Sequence, residues 1–259
     1  MRYRQTSMQN VEKMYFETDA GIGHRARIGL LVLQTDQTLE AELRHFTALE
    51  GVALYHARLA NDVVVTPETL ARMAQELPRA AELISPSLGL TAIGYACTSG
   101  STIIGEARVA QTLTSIHPGV PSSNPLTAAK AAFTAFGISR IGLVTPYTPD
   151  VTLAMQANFV AAGIDVPVVG SFYEDNDLQV GRITEASILK AAIAVGSDPR
   201  CEAVFISCTS LRTVRVIAQA EAALAKPVTA SNHCLAWHLL RLSEVDDQRA
   251  DVGQLFAQY

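Results

Sequence analysis

The sequence has little of what would mark a nucleic-acid-binding or membrane protein. Only 17% of its 259 residues are charged, and the net charge of -5 offers no basic stripe for a phosphate backbone. Its longest apolar runs, such as 28–33 and 166–170, are far shorter than the roughly 20 residues that a membrane helix needs. We therefore expect binding neither to nucleic acid nor to a membrane.

Signals for export and for cofactors are also missing. Residues 1–26 are polar and irregular and lack the apolar centre of a secretory signal, so we expect an N-terminal arm on a cytoplasmic protein. The glycine-rich segment 94–105 contains neither a phosphate loop nor a GxGxxG dinucleotide motif. The six histidines are scattered, and no two of the four cysteines form a CxxC pair. The sequence thus disfavours nucleotide binding and predicts no metal and no disulfide.

What is present is an alternation of short apolar runs and helical patterns, which is typical of parallel strands joined by helices. The predicted strands cover residues 28–33, 51–58, 89–96, 140–145, 166–172, 203–207 and 227–230. The predicted helices include residues 67–84, 126–136, 149–162 and 184–195. Gly137, Gly163 and Gly196 should end the last three helices in a left-handed conformation, whereas Pro78 should kink or split the first.

This series of elements occurs twice. The tetrapeptide Arg-Ile-Gly-Leu begins at positions 27 and 140, and a Cys-Thr-Ser tripeptide follows each copy, with Cys97 68 residues and Cys208 66 residues after the glycine. A repeat of this length predicts an α/β fold of two similar lobes with parallel sheets, 27–137 and 138–259, related by a pseudo-twofold axis, with a C-terminal helix able to cross back to the first lobe. Ligands of parallel sheets bind beyond the carboxyl ends of the strands, so we expect the active site in the cleft between the lobes.

Cys97 and Cys208 are the candidate catalytic residues. Each follows a buried strand and precedes a helical pattern, and the free N–H groups and dipole of a helix N-terminus should lower the pKa of a thiol there. A cysteine at the end of a strand can also be a small core residue, and we interpret Cys201 and Cys234 in that way. The repeated tripeptide argues against that interpretation for the first pair. Hydroxyls that could hold a carboxylate at the same turns belong to Thr98, Ser99, Thr209 and Ser210.

Four segments resemble the Asp/Glu racemase superfamily, namely GYACTSGS, FISCTSLRT, IGLLVLQTDQTLE and IGLVTPYTPDV. Within that superfamily the sequence is most similar to maleate cis-trans isomerases, arylmalonate decarboxylases and the ectoine-utilisation protein EutA. The resemblance implies a cofactor-independent enzyme with Cys97 and Cys208 on opposite faces of a small carboxylate. It also implies that Tyr147 and Asn176 contact the substrate.

Two departures from these families bear on the substrate. Asp36 stands where maleate isomerases have an asparagine, and its negative charge would repel a second carboxylate and attract an amine or amidine. Asp36 can equally cap the helix that begins near Thr38. The decarboxylases keep only the second cysteine, whereas Cys97 is present here, which disfavours simple decarboxylation.

We therefore expect an isomerase, chiefly a racemase or epimerase whose two thiols act as acid and base on a small nitrogen-bearing carboxylate, an amino acid or an ectoine-related compound. The alternative is maleate-type cis-trans isomerisation, in which Cys97 adds to a double bond and Cys208 serves as the acid and base. A two-lobed binding protein is a third possibility. The expected assembly is a homo-oligomer, a dimer or larger.

Overall fold

Two four-stranded parallel sheets organise the computed structural model, which describes residues 11–259. The first ten positions of the predicted N-terminal arm therefore lie outside the described residues. The first sheet contains β1 (Ala26–Leu33), β2 (Val52–Leu59), β3 (Ala92–Ala96) and β4 (Ser122–Ser123). The second contains β5 (Arg140–Thr145), β6 (Asp165–Ser171), β7 (Ala203–Ile206) and β8 (Val228–Ala230).

The two sheets have equivalent strand orders, β2-β1-β3-β4 and β6-β5-β7-β8, and every pairing within them is parallel. Strands β3 and β7 are buried along their whole length. Parallel strands covered by helices on both faces are expected to be continuously apolar, which is why the short runs were visible in the sequence. The prediction of an α/β fold with two similar parallel sheets is confirmed, and the seven predicted strands are all present.

Eleven helices of the described residues join and cover the strands. They are α1 (Leu39–Phe46), α2 (Pro67–Glu82), α3 (Thr98–Ile104), α4 (Glu106–Ile116), α5 (Pro125–Phe136), α6 (Pro149–Ala161), α7 (Asp177–Val180), α8 (Glu185–Gly196), α9 (Val214–Leu224), α10 (Ser231–Leu242) and α11 (Gln254–Gln258). Two short 3-10 turns lie at Pro86–Leu88 and Ala250–Val252. No helix within residues 11–259 is long and apolar enough to cross a bilayer.

Pro78 lies inside α2 without splitting it, since the helix runs without a break from a cap at Thr66. One prediction about helix ends is wrong. Gly196 is the last helical residue of α8 rather than its left-handed cap, and a Cβ there would lie 2.5 Å from a methyl of Leu224. Close packing between α8 and α9, and not backbone conformation, therefore explains that glycine. Gly137, by contrast, does end α5 with φ of 68°.

Helix α10 connects the two halves of the molecule. It follows β8 of the second sheet but packs against α1, α5 and β3, which belong to the first. The side chain of Trp237 on this helix donates to the carbonyl oxygen of Tyr259, 2.9 Å away, and so holds the end of the chain. The lobe boundaries at 26/27 and 137/138 stay predictions, and the C-terminal part of the chain packs on both sheets.

Candidate active site

The two Cys-Thr-Ser turns meet at one cavity. Cys97 directly follows β3, and Cys208 follows β7 after one intervening residue, so both lie beyond the carboxyl ends of equivalent strands. Both thiols are buried, with 3% and 6% exposure. The cavity is lined by Leu33, Asn61, Asp62, Val64, Val65, Thr69, Leu70, Met73, Cys97, Thr98, Ser99, Tyr147, Asp177, Cys208 and Thr209.

Cys97 is the N-cap of α3. The N–H of Gly100 donates to its Sγ at 3.2 Å, and the hydroxyl of Ser99 lies 3.7 Å from the same sulfur. A Cβ at position 100 would be 2.9 Å from this Sγ and 2.3 Å from the hydroxyl oxygen of Tyr95. The glycine is therefore required because the sulfur and the tyrosine hydroxyl converge on its α carbon.

Cys208 has a different backbone environment. Residues 209–213 form a turn before α9 begins, so the prediction that this cysteine lies at a helix N-terminus is wrong. Its φ of 119° is rare for a residue with a side chain and costs about 1–3 kcal/mol, strain that is typical of functional sites. The Cys208 N–H donates to the Ser231 hydroxyl at 2.9 Å, and that hydroxyl is also 2.7 Å from the hydroxyl of Thr98. The two cysteine turns are thus linked through one serine of α10.

The predicted lowering of the thiol pKa values is also wrong. Burial raises the pKa of the Cys97 thiol to about 11, and the Gly100 N–H offsets only part of that effect. Burial raises the pKa of Cys208 further, and the negative charge of Asp177 acts in the same direction on both thiols. Desolvation of the thiolate outweighs the dipole of a short helix, so both thiols rest in the neutral form at pH 7.

This burial predicts slow thiol chemistry in the empty protein. Because the folded-state pKa of Cys97 lies above its ordinary value of 9.0, the neutral thiol stabilises the fold below pH 9, and that contribution is lost as the pH rises towards 11. Iodoacetamide labelling at Cys97 and Cys208, followed by peptide mass spectrometry, should be much slower in the native protein at pH 7.5 than in urea. The native rate should still be rising at pH 10. Half-maximal labelling of Cys97 below pH 9 would contradict the burial argument.

Two tyrosines accompany the thiols. Tyr147 lines the cavity at 2% exposure together with both thiols. Tyr95 is fully buried on β3, and its hydroxyl reaches the Sδ of Met73 at 3.8 Å. Burial raises the pKa of both phenols well above the ordinary range, so both hydroxyls stay protonated and are available as donors.

Six of the nine residues predicted for the site line the cavity, namely Cys97, Thr98, Ser99, Tyr147, Cys208 and Thr209. Asp36, Asn176 and Ser210 lie next to it but do not line it. Oδ1 of Asp36 accepts from the N–H groups of Thr38 and Leu39, both at 2.8 Å, so this side chain does cap the start of α1. Its Oδ2 is buried and has no hydrogen-bond partner among the described residues. Burial raises the pKa of this carboxyl group.

Asn176 acts within its own loop. Its Oδ1 accepts from the N–H groups of Leu178 and Gln179 at 3.1 and 3.3 Å, which caps α7. The adjacent Asp177 is the residue that lines the cavity, at 4% exposure. Asn176 itself does not line the cavity, so its contact with a substrate stays a prediction. A helix of four residues carries no periodicity from which the inward-facing residue could be recognised.

Asp177 is held by three loops. Its Oδ1 accepts from the Ser210 hydroxyl at 2.8 Å, and its Oδ2 accepts from the Thr35 hydroxyl. Its backbone N–H donates to the carbonyl of Val63 at 2.9 Å. A second bond of this kind joins the N–H of Val65 to the carbonyl of Asp175 at 2.8 Å. Segments 63–65 and 175–177 thereby form a short clip between the two halves beside the cavity.

A pair of cysteines beyond equivalent parallel strands defines a class of α/β enzyme with a two-thiol site. A family model described as arylmalonate decarboxylase matches residues 38–256, and the chain belongs to that family. The maleate isomerase of Alcaligenes faecalis is 21% identical over 244 residues, which cover 89% of this chain and 96% of that one.

Solved structures show the same fold. A maleate cis-trans isomerase of Nocardia farcinica, a cysteine-to-serine mutant with a covalently bound succinylcysteine intermediate, superimposes with a TM-score of 0.83 at 22% identity, over 90% of this chain and 99% of that one. Unliganded arylmalonate decarboxylase gives 0.76 at 20% identity, over 90% and 100%.

The family match and these relatives confirm the prediction of an enzyme of the isomerase kind and do not support the binding-protein interpretation. They support the superfamily that the sequence motifs indicated. They do not bear on the closer relation to EutA, which stays a prediction.

Proposed function

We propose that this protein is a cofactor-independent isomerase of small carboxylates in which Cys97 adds to a carbon–carbon double bond and Cys208 acts as the acid and base. The observation that carries the proposal is that both thiols and the Tyr147 hydroxyl line a single cavity. Similarity to maleate isomerases along 89% of the chain supports this chemistry over the racemisation expected from the sequence.

Because both thiols are neutral at rest, the reaction begins when Cys97 releases its proton to solvent, which leaves a Cys97 thiolate beside the Cys208 thiol. The Cys97 sulfur forms a bond to one alkene carbon while the π bond breaks, and Cys208 donates its proton to the other carbon. The bond between these carbons is now single and rotates. Cys208 then takes a proton back from the same carbon, the sulfur–carbon bond breaks, and the alkene leaves in the other geometry. Both thiols end in the state in which they began.

Polar groups in the cavity wall can stabilise the negative charge that develops on the substrate during addition. Negative charge moves onto the substrate carboxylate as the sulfur attacks, and polar groups around the thiols can stabilise it. The hydroxyl of Tyr147 stays protonated because burial raises its pKa, so it can donate to the substrate. Thr98, Ser99 and Thr209 supply the other polar groups of the wall beside the sulfurs.

A second candidate is stereoinversion of a nitrogen-bearing carboxylate, an amino acid or an ectoine-related compound. The negative charges of Asp36 and Asp177 near the Cys208 thiol favour it, because they oppose a second substrate carboxylate. One thiolate would remove the proton next to the carboxylate, and the opposite thiol would donate a proton to the other face. The expected homo-oligomer also stays a prediction.

Proton NMR can distinguish cis-trans isomerisation from stereoinversion. The protein is incubated in deuterated water with a panel of unsaturated dicarboxylic acids, amino acids and imino acids. Addition and rotation should convert the vinyl signal of a cis acid into that of its trans isomer. Stereoinversion should instead remove an α-proton signal by exchange with deuterium. Each reaction should fall by at least about 100-fold in Cys97→Ser and in Cys208→Ser. Unchanged turnover in both variants would refute a role for the thiols in either reaction.

A further inference from the structure

Asp177 brings a buried carboxylate to the wall of the substrate cavity. Its side chain is 4% exposed and lines the same space as the two thiols. Its hydrogen-bond partners are two neutral hydroxyls, those of Thr35 and Ser210. A carboxylate has about four acceptor positions, so further positions remain for a donor from the cavity.

The charge of this carboxylate has no positively charged partner among residues 11–259. None of the cavity-lining residues within 11–259 is a lysine, arginine or histidine, and no ion pair of that part of the chain includes Asp177. Buried charges in proteins are as a rule paired, because an unpaired charge away from water is costly. A group that enters the cavity is therefore the available counterion.

Asp36 adds a second, independent sign of the same preference. The residue is only 3% exposed, and its buried Oδ2 has no hydrogen-bond partner among the described residues. Negative charge at Asp36, like that at Asp177, raises the pKa of the Cys208 thiol. Negative charge at Asp36 and Asp177, both close enough to act on the Cys208 thiol, disfavours a dianionic substrate and favours one that carries a positive charge.

We propose that Asp177 binds a positively charged nitrogen of the substrate, so that the cavity takes small zwitterions, amino or amidino acids, in preference to dicarboxylates. The inference rests on the proposed function in one respect, namely that the substrate occupies the cavity between the thiols. It holds for addition and for stereoinversion alike. A bound cation would also neutralise the charge that opposes thiolate formation, so the substrate itself would ease ionisation of the thiols.

Binding of saturated probes tests the preference without requiring turnover. Three length-matched pairs are suitable: glycine with malonate, β-alanine with succinate, and γ-aminobutyrate with glutarate. Dissociation constants from NMR titration should favour the amino acid of at least one pair by about tenfold in the wild-type protein. Asp177→Asn should reduce that ratio by at least about tenfold, since asparagine can still bond both hydroxyls but carries no charge.

Asp175→Asn is the matched control. Asp175 lies two positions before Asp177, but its side chain is exposed and does not line the cavity, so the same loss of one charge there should leave the ratio unchanged. A general loss of structure in Asp177→Asn would weaken the binding of both the amino acid and the dicarboxylate of a pair. The proposal instead requires the ratio of their dissociation constants to change. Wild-type protein that binds each dicarboxylate as well as its partner, or that binds none of the amino acids, would overturn the inference. Failure of the thiol chemistry would be seen in the cysteine variants and would not alter this ratio.

Discussion

Cys208→Ser is expected to accumulate a covalent adduct between Cys97 and an unsaturated substrate. The enolate formed by addition can take its proton from water, but the neutral serine hydroxyl is too weak a base to remove that proton again. Addition would then outpace elimination, and turnover should fall by about a thousandfold or more. Intact-protein mass spectrometry should show one added substrate mass, and peptide mapping should place it on Cys97.

Two other cysteine variants control this experiment. Cys97→Ser should form no adduct and show no turnover. Cys201→Ser should retain activity, because Cys201 is buried outside the cavity lining. If deuterium exchanges at an α carbon of the substrate and no adduct forms, the function would be stereoinversion rather than addition to a double bond. An adduct found on Cys208 would exchange the roles assigned to the two thiols.

Glu42→Ala should be strongly destabilising although Glu42 does not line the cavity. Glu42 projects from α1 at 5% exposure and accepts from the backbone and hydroxyl of Thr213, from the Val214 N–H at 2.9 Å and from the Asn232 amide at 2.8 Å. It therefore caps α9, which belongs to the other sheet. Alanine would leave four buried donors without this acceptor, and we expect a loss of about 3–5 kcal/mol in the free energy of unfolding.

Urea denaturation measures this loss, and α1 provides its control. Glu40 lies on the same helix but is exposed and paired with Arg58, so Glu40→Ala should change stability by less than about 0.5 kcal/mol. The Asn232 amide also donates to the Thr209 carbonyl at 2.8 Å, beside Cys208, so Glu42→Ala should lower activity even where the protein remains folded. Equal stability of the two variants would show that the Glu42 network contributes little.

Much of the fold was predictable because the information is local. Parallel strands buried on both faces need continuous apolar runs, and the strand predicted at 140–145 matches β5 to the residue. Gly137 ends α5 as expected because its left-handed conformation is a property of the last helical turn. β4 was missed since two residues, Ser122–Ser123, carry no periodicity.

The site was less predictable because it depends on distant contacts. Asp177 contacts Thr35, which lies 142 positions earlier in the chain, and no local pattern distinguishes Asp177 from the neighbouring Asn176. The direction of the thiol pKa shift was wrong for a related reason. A helix terminus can be recognised in a sequence, but the depth at which a thiol is buried cannot, and burial is the larger effect here.

The sequence by itself determined the two-sheet architecture and identified Cys97 and Cys208 as equivalent residues of the two halves. Both features follow from repeated short segments, a strand and a Cys-Thr-Ser turn, that can be recognised locally. Only the tertiary structure decided that these thiols are neutral at rest, that a strained turn rather than a helix follows Cys208, and that Asp177 is the acidic group in the cavity wall. Desolvation and charge arise from segments far apart in the chain, so they exist only once the two halves are packed together.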